Sequence, residues 1–169
     1  MNICIVGIGI EPPIFLSKLS ETFSAKISFD KMDLPKHAFD VEKKQWSAEK
    51  ILNALRKENE KRLHSDKVLG VTDIDIRIKN TNFVFGISEI GGSTSLISIH
   101  RYHPELYGKP KQGLYENRAI REAMHELGHA FGLQHCKNKC VMQFSNGIEE
   151  VDRKPSAFCK ECTGQLSIH

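Results

Sequence analysis

The sequence predicts an α/β protein in which helices pack on one mixed, mostly parallel sheet. Apolar, β-branched runs alternate with amphipathic stretches through the first hundred residues, which is typical of strands joined by crossover helices. Two later runs are joined by the glycine-bearing connection Ile90–Thr94, which predicts an antiparallel hairpin. A helical pattern then extends from Asn117 to Leu133. With 169 residues, the chain has the size of one domain.

The first elements follow from apolar spacing and from proline. Ile3–Ile8 is a continuous apolar run and predicts a buried first strand. After Pro12 and Pro13, apolar residues recur at helical spacing from Ile14 to Phe23 and predict a first helix. Lys26–Phe29 predicts a short second strand. Residues 30–46 mix charges without a period and predict a loop.

The next elements complete the predicted sheet. Ser47 is suited to cap a second helix, whose apolar positions are Ile51, Leu52, Leu55 and Leu63. Val68–Thr72 predicts a third strand, and the alternation in Asp73–Ile78 predicts a half-exposed extended segment. Phe83–Glu89 and Ser95–His100 are the two hairpin strands, so one strand of the sheet is antiparallel. Residues 101–115 predict a loop.

The helix at Asn117–Leu133 carries a candidate metal site. His125 and His129 are four residues apart and lie on the face opposite the apolar stripe, so their rings can converge on one Zn²⁺. Gly132 can adopt a positive φ and end the helix, which lets His135 supply a third ligand. The fourth coordination position then stays open for water.

Glu126 follows the first of these histidines and is placed to take a proton from that water. Three neutral histidines leave the metal its full charge, which lowers the pKa of a bound water to ~7. The residues therefore predict metal-assisted amide hydrolysis. The alternative is that both histidines only cap or solvate a helix and that Glu126 is only a good helix former.

A second cluster lies near the C-terminal end and contains four of the five cysteines, Cys136, Cys140, Cys159 and Cys162. Two pairs at ligand spacing predict a closed, tetrahedral four-cysteine zinc site, and a closed site is structural because it leaves no position for water. Since Cys136 adjoins His135, this zinc is expected to fix the third catalytic ligand. Free buried thiols are the alternative, and Cys4 is predicted to be a small core residue.

The motifs together carry a family resemblance. His125-Glu126-x-x-His129-x-x-Gly132-x-x-His135-Cys136, then Cys140-Val141-Met142 and Cys159-x-x-Cys162, resembles the archaemetzincin family of metzincin-clan metallopeptidases. The resemblance implies a metzincin-like zincin fold with a twisted, mixed five-stranded sheet, one antiparallel edge strand, an active-site helix and a small C-terminal part with the four-cysteine zinc site.

Further roles are implied by the same resemblance. Met142 would be the Met-turn residue, an apolar floor beneath the histidines, although an ordinary core methionine would pack in nearly the same way. A peptide substrate would bind antiparallel along the edge strand Phe83–Glu89. The alternative is an edge strand that its own charge, Glu89, protects. The only tyrosines precede Met142, so no oxyanion-stabilising group can be named.

These observations predict one catalytic domain, with an N-terminal subdomain at residues 1–132 and a C-terminal subdomain at residues 133–169. We expect two Zn²⁺ per chain, one catalytic and one structural, and hydrolysis of peptide bonds. The alternative is a non-hydrolytic zinc protein that binds a peptide or another partner on the same scaffold.

Charge and hydropathy limit the partners. The formal charge of +3 is too small to indicate nucleic-acid binding, and no basic-aromatic patch is visible. No apolar run approaches the roughly 20 residues of a membrane span, so we expect no membrane partner. The N-terminal residues do not resemble a signal peptide, and clustered cysteines beside histidines suit a reducing compartment, so the sequence predicts a cytoplasmic protein.

Overall fold

The computed structural model of the chain describes residues 1–108, 111 and 113–166. Its strands are β1 (Asn2–Ile8), β2 (Lys26–Met32), β3 (Phe39–Asp40), β4 (Gln45–Ser47), β5 (Lys67–Thr72), β6 (Ile76–Arg77), β7 (Gly86–Ser88) and β8 (Thr94–Ser98). Its α-helices are α1 (Leu19–Phe23), α2 (Ala48–Glu58), α3 (Leu114–Ala130), α4 (Ile148–Arg153) and α5 (Lys160–Leu166).

The main sheet has five strands in the order β2-β1-β5-β8-β7. Its first four strands are mutually parallel, and β7 pairs antiparallel with β8, with Gly86 opposite Ile97. The predicted mixed sheet with one antiparallel edge strand is therefore confirmed. A small second sheet, β3-β4-β6, extends the structure beside α2.

Both faces of the sheet are covered by helices because side chains of a strand alternate between its faces. Ile3 and Ile5 of β1 belong to the core that α1 and α3 cover. Val6 and Ile8 point the other way, into the core under α2. These buried faces fix α3 against β8 and β7, which brings the histidine-bearing helix to the edge of the sheet.

The structure corrects several predicted boundaries. The first helix is a 3-10 turn at Ile14–Lys18 followed by the short α1. Residues 30–46 are not all loop, because β2 continues to Met32 and the short strands β3 and β4 follow. The pairing of β4 with β6 is a long-range contact that local spacing does not encode.

The predicted strand Phe83–Glu89 is shorter in the structure. Only Gly86–Ser88 pairs regularly with β8, and upstream of it the Val84 N–H donates to Ile76 instead. The loop predicted at residues 101–115 includes two 3-10 turns, ends in the first turn of α3, and lies partly outside the described residues.

Gly132 has a φ of +93° just after α3, as the sequence predicted for the turn that ends this helix. It stands at the predicted boundary between residues 1–132 and 133–169, of which the structure describes the second range to Leu166. That range holds α4 and α5, although its sequence lacks a clear helical period. No helix in the described part of the chain is both long and apolar enough to cross a membrane.

The start of α2 offers a test of the fold. The Ser47 hydroxyl accepts a hydrogen bond from the Lys50 N–H at 3.3 Å, as expected of an N-cap. Ser47→Ala should lower the free energy of unfolding by about 1 kcal/mol, measured by urea titration. Ser17→Ala, at an exposed position in the 3-10 turn, is the control and should change it by less than about 0.5 kcal/mol. Equal effects of both changes would contradict the capping role.

Candidate active site and metal centres

The functional face of α3 is buried. His125 and Glu126 are each 5% exposed and His129 is 8% exposed, because β7 and the segment after α3 cover them. The sequence predicted that these side chains lie on an exposed face of α3, opposite its apolar stripe. That prediction is wrong because the chain turns back at Gly132 and packs over the same face.

Hydrogen bonds fix the orientation of two imidazoles. Nδ1 of His125 donates to the Val141 carbonyl at 3.0 Å, and Nδ1 of His129 donates to the Leu133 carbonyl at 2.7 Å. These bonds assign the proton to Nδ1, so each Nε2 carries a lone pair. Burial lowers the pKa of His125 to about 4 and also lowers the pKa of His129, so both rings are neutral at neutral pH.

The two free Nε2 atoms face each other at 3.2 Å. Two ligands of a tetrahedral zinc with bonds of 2.0–2.1 Å stand about 3.3 Å apart, so this separation suits zinc. His135 completes the group: its ring centroid lies 5.3 Å from that of His125 and 4.9 Å from that of His129. The ligand nitrogens of all three lie within 4.8 Å of one another, which is the convergence that the spacing predicted.

Glu126 contacts the edge strand. Its carboxylate accepts a hydrogen bond from the Ser88 hydroxyl at 2.6 Å, and a side chain at Gly86 would lie 2.7 Å from its Cγ. Burial raises the pKa of Glu126 to about 8, and the negative charge of Glu122 adds to the rise while Ser88 opposes it. A bound divalent cation would favour the ionised form of this carboxyl.

A buried ion pair lies beside these groups. Lys154 Nζ is 3.5 Å from Glu122 Oε2, and the two side chains are 2% and 6% exposed. Glu122 precedes Glu126 by one helical turn. A second pair, Arg118 with Asp152 at 2.7 Å, also joins α3 to α4.

Met142 lies directly under α3. A Cβ at Gly128 would overlap the Met142 sulfur, so this helix position has room for no side chain larger than hydrogen. Met142 is fully buried. This contact suits the apolar floor that the resemblance implied, and it equally suits an ordinary core methionine.

The four cysteines converge as well, with all four sulfurs within 4.8 Å of one another. The sulfurs of Cys136 and Cys159 are 3.8 Å apart, close to the roughly 3.8 Å between two ligands of a tetrahedral zinc with 2.3 Å bonds. The N–H groups of Met142 and Cys159 point at the Cys140 sulfur, at 3.5 and 3.2 Å. Such donors stabilise thiolates, the form in which cysteine binds metal.

The thiols differ in acidity. A hydrogen bond from the Cys162 N–H lowers the pKa of Cys159 to about 6. Burial raises the pKa of Cys162 and of Cys136. Cys4 lies apart from the group, buried in the core as predicted.

One short segment joins the two clusters. Cys140 belongs to the four-cysteine group, the Val141 carbonyl orients His125, and Met142 packs under α3. The segment is held in turn by two backbone hydrogen bonds, from Val141 N–H to the Ala157 carbonyl and from Cys136 N–H to the Met142 carbonyl. The clusters are thus one connected structure.

A cleft of about 590 Å³ opens onto the histidines. Residues from 83 to 88, including all of β7, form one wall, and Phe144, Ser145 and Asn146 form part of the other. Ile90 and Phe144, both more than half exposed, flank the opening. The edge strand β7 lies on one side of the cleft, an arrangement that suits an extended chain.

Some residues of this cleft were not predicted from the sequence. Glu122 could have been found, because at 100° per residue it falls between His125 and Glu126 on the helix. Ser88 and Gly86 could not, since only the strand pairing brings them to Glu126. Lys154 had no local signal, because it follows a short helix whose sequence lacks a clear period.

Comparison with known proteins identifies relatives over nearly the whole chain. A family model described as Peptidase family M54 matches residues 23–168. Among curated proteins, the archaemetzincin of Methanocaldococcus jannaschii is 42% identical, with 98% of this chain and 93% of that protein covered. The archaemetzincin of Pyrococcus furiosus is 43% identical, with 97% and 91% covered.

The fold also matches solved structures of archaemetzincins. The crystal structure of archaemetzincin from Methanopyrus kandleri matches with a TM-score of 0.87 and 34% identity over 99% of this chain and 94% of that one. The archaemetzincin of Archaeoglobus fulgidus, complexed with malonate, matches with a TM-score of 0.83 and 33% identity over 98% and 99%. The mixed five-stranded sheet is thus shared with solved proteins.

The contact between Gly128 and Met142 can be tested directly. Gly128→Ala forces the sulfur to move within a packed core, which we expect to lower the free energy of unfolding by about 1–3 kcal/mol. Gly164→Ala is the matched control, since its new methyl group meets no described atom within 4 Å and alanine favours a helix. Thermal unfolding of both variants checks this. A Gly128→Ala protein as stable as the control would show that Met142 is not confined.

Proposed function

The chain belongs to peptidase family M54 and is therefore a zinc metallopeptidase, and we propose that it hydrolyses peptide bonds at the three-histidine centre. In this proposal His125, His129 and His135 bind the catalytic zinc and Glu126 is the general base. The observation that carries it is the pair of unprotonated Nε2 atoms that face each other at 3.2 Å. Two lone pairs at that distance repel each other unless a cation lies between them.

The proposed chemistry divides between the metal and the protein. Zinc supplies a Lewis acid that polarises the scissile carbonyl and acidifies water. Glu126 takes the proton of the attacking water and delivers it to the leaving amine. Ser88 holds the Glu126 carboxylate at 2.6 Å, which fixes the direction in which the proton moves. The carbonyl groups of Val141 and Leu133 keep two imidazoles in the tautomer that binds metal.

The substrate is proposed to be an extended peptide that runs antiparallel to β7. This strand is the last of the sheet order, and its residues line the cleft. Free backbone groups of an edge strand bind a peptide of any sequence, so selectivity must come from the side chains along the cleft. The sequence prediction of Phe83–Glu89 is retained for the whole binding segment, with Gly86–Ser88 as its regular part.

We further propose that the four cysteines bind a second, structural zinc. The spacing of the Cys136 and Cys159 sulfurs and the N–H donors at Cys140 support this. On this view residues 133–169 form a small C-terminal subdomain that supplies His135, Met142 and the four thiolates. Residues 1–132 supply the sheet and α3. A cytoplasmic location and the absence of a nucleic-acid partner remain predictions from the sequence.

Loss of the general base should abolish hydrolysis without loss of metal. Glu126→Gln is expected to reduce peptide cleavage by about 10²–10⁴-fold, because an uncharged amide cannot take the proton. The amount of zinc per chain, measured by inductively coupled plasma mass spectrometry, should stay at the wild-type value. Glu116→Gln, exposed in the first turn of the same helix, is the control and should cleave like the wild type. Retained cleavage by Glu126→Gln would contradict the assignment of Glu126 as the general base.

Absence of cleavage by the wild type across a peptide library would instead favour a binding protein.

The two metal sites should be coupled. Cys162→Ala is expected to remove the structural zinc and to weaken zinc binding by the histidines about 10–100-fold, because Val141 and Met142 lose their support. Chelator titration followed by metal analysis measures both sites. Cys4→Ala removes a thiol outside the cluster and should leave two zincs per chain. Cys162→Ala with an unaltered affinity at the histidines would show that the sites are independent.

A further inference from the structure

A buried lysine in the cleft has no part in the chemistry proposed above. Lys154 directly follows α4, and its side chain lines the same cleft as His125 and Glu126. An ammonium group has three N–H donors, whereas the described residues offer Lys154 Nζ only Glu122 Oε2, at 3.5 Å. Donors of Lys154 therefore remain for an oxygen atom that enters the cleft.

Stability does not account for this pair. Burying an ammonium and a carboxylate costs as much as their attraction returns, and apolar residues of similar size are often as stable. Yet the pair is only 2% and 6% exposed and is held firmly in place, since Arg118 and Asp152 also fix α4 on α3 at 2.7 Å. A buried cation that faces a substrate cleft indicates recognition of an anion.

The direction of β7 along α3 shows which part of a peptide would meet Lys154. Ser88 contacts Glu126, and further along both elements the Gly91 N–H donates to the His129 carbonyl at 2.9 Å. Towards the N-terminal end of both elements, the Phe85 ring stacks on Tyr102, and the Tyr102 carbonyl accepts a hydrogen bond from Arg118. The chain from Phe85 to Gly91 thus runs in the same sense as α3. A peptide antiparallel to β7 has its C-terminal part towards Glu122 and Lys154.

The distance along the helix limits this to the first two residues after the scissile bond. Glu122 lies three positions before His125 and seven before His129, so along the axis it is about 4.5 Å before the first ligand and about 7.5 Å before the level midway between the two, at 1.5 Å per residue. An extended peptide advances ~3.3 Å per residue, so the first or the second residue after the scissile bond reaches this level. A group at this level is better placed to recognise a neighbouring residue of the peptide than to stabilise the oxyanion directly.

We propose that Lys154 binds a carboxylate on the first or second residue after the scissile bond, carried either by its side chain or by the free end of the chain. The proposal rests on the function and the peptide direction proposed above. The charges agree with it: Glu122 and Glu126 face one ammonium and one Zn²⁺, which leaves one net positive charge for a single anion. The Ser145 hydroxyl also lines the cleft, is shielded from solvent and has no hydrogen-bond partner among the described residues.

The test compares acids with their amides in the zinc-loaded protein. One set of peptides is amidated at its C-terminus and differs only by Glu or Gln, or by Asp or Asn, at the first or second position after the cleaved bond, which mass spectrometry identifies. A second set ends at either position with a free carboxylate or an amide, which separates the two sources of the anion. The ratio of kcat/KM for acid over amide should be about 10 or more, as expected for a hydrogen bond to a charged group.

The variants are chosen to survive the loss of a buried charge. Lys154→Arg keeps the charge and should keep a preference for the acid. Lys154→Met should bring the ratio near 1, and so should the double change Glu122→Gln with Lys154→Met, which leaves neither buried charge unpaired. Lys57→Met, on the exposed side of α2, is the control and should keep the wild-type ratio. A purely structural Lys154 would alter the rate for acid and amide peptides alike.

Binding supplies a readout that does not depend on turnover. Two hydroxamates that differ only in a carboxymethyl or a carbamoylmethyl group are titrated calorimetrically into the wild type and the double variant. Tighter binding of the acid by the wild type only supports recognition by Lys154, with or without cleavage. Absence of cleavage of any peptide would contradict the proposed hydrolysis and leave this recognition intact. Cleavage without any preference for the acid overturns the role of Lys154 and leaves the peptidase intact. A preference that persists in the double variant also overturns it.

Discussion

The packing of Cys140, Val141 and Met142 against α3 is the constraint on which both candidate metal centres depend. The Val141 carbonyl sets the tautomer of His125, and Met142 fills the space that the missing side chain of Gly128 leaves. Cys140 ties the same three residues to the other thiols. A shift of this segment would change the orientation of His125, the packing against Gly128 and the position of the Cys140 sulfur together, because the three residues are consecutive.

The main sheet positions this segment only indirectly. Its strands bury α3 along one face, and β7 closes the helix from the side through Ser88 and Glu126. The C-terminal residues then cover the remaining face, through ion pairs such as Arg118 with Asp152. The active groups therefore lie at the meeting of three layers, which explains why side chains on the polar face of a helix are almost entirely buried.

The sequence was most informative where the chemistry is local. His125 and His129 meet because of the helical repeat, and Gly132 has the backbone conformation that its position required. Histidines and cysteines at ligand spacing indicate a metal centre directly, so both candidate groups could be named before the fold, and the structure brings each group together. The fold class was also predictable, since strand runs and amphipathic helices alternate. The short strands were less predictable, because β4 pairs with β6, which lies much later in the chain. The position of Lys154 could not be predicted from the sequence, because it depends on how α4 packs against α3 and not on a helical period.

The position of the segment from Cys140 to Met142 also depends on residues that come later in the chain. Val141 is held by Ala157, and Cys140 receives an N–H from Cys159. During synthesis the three histidines therefore leave the ribosome before the residues that support them. We therefore expect the candidate metal centre to become ordered only after that later segment has emerged and folded back.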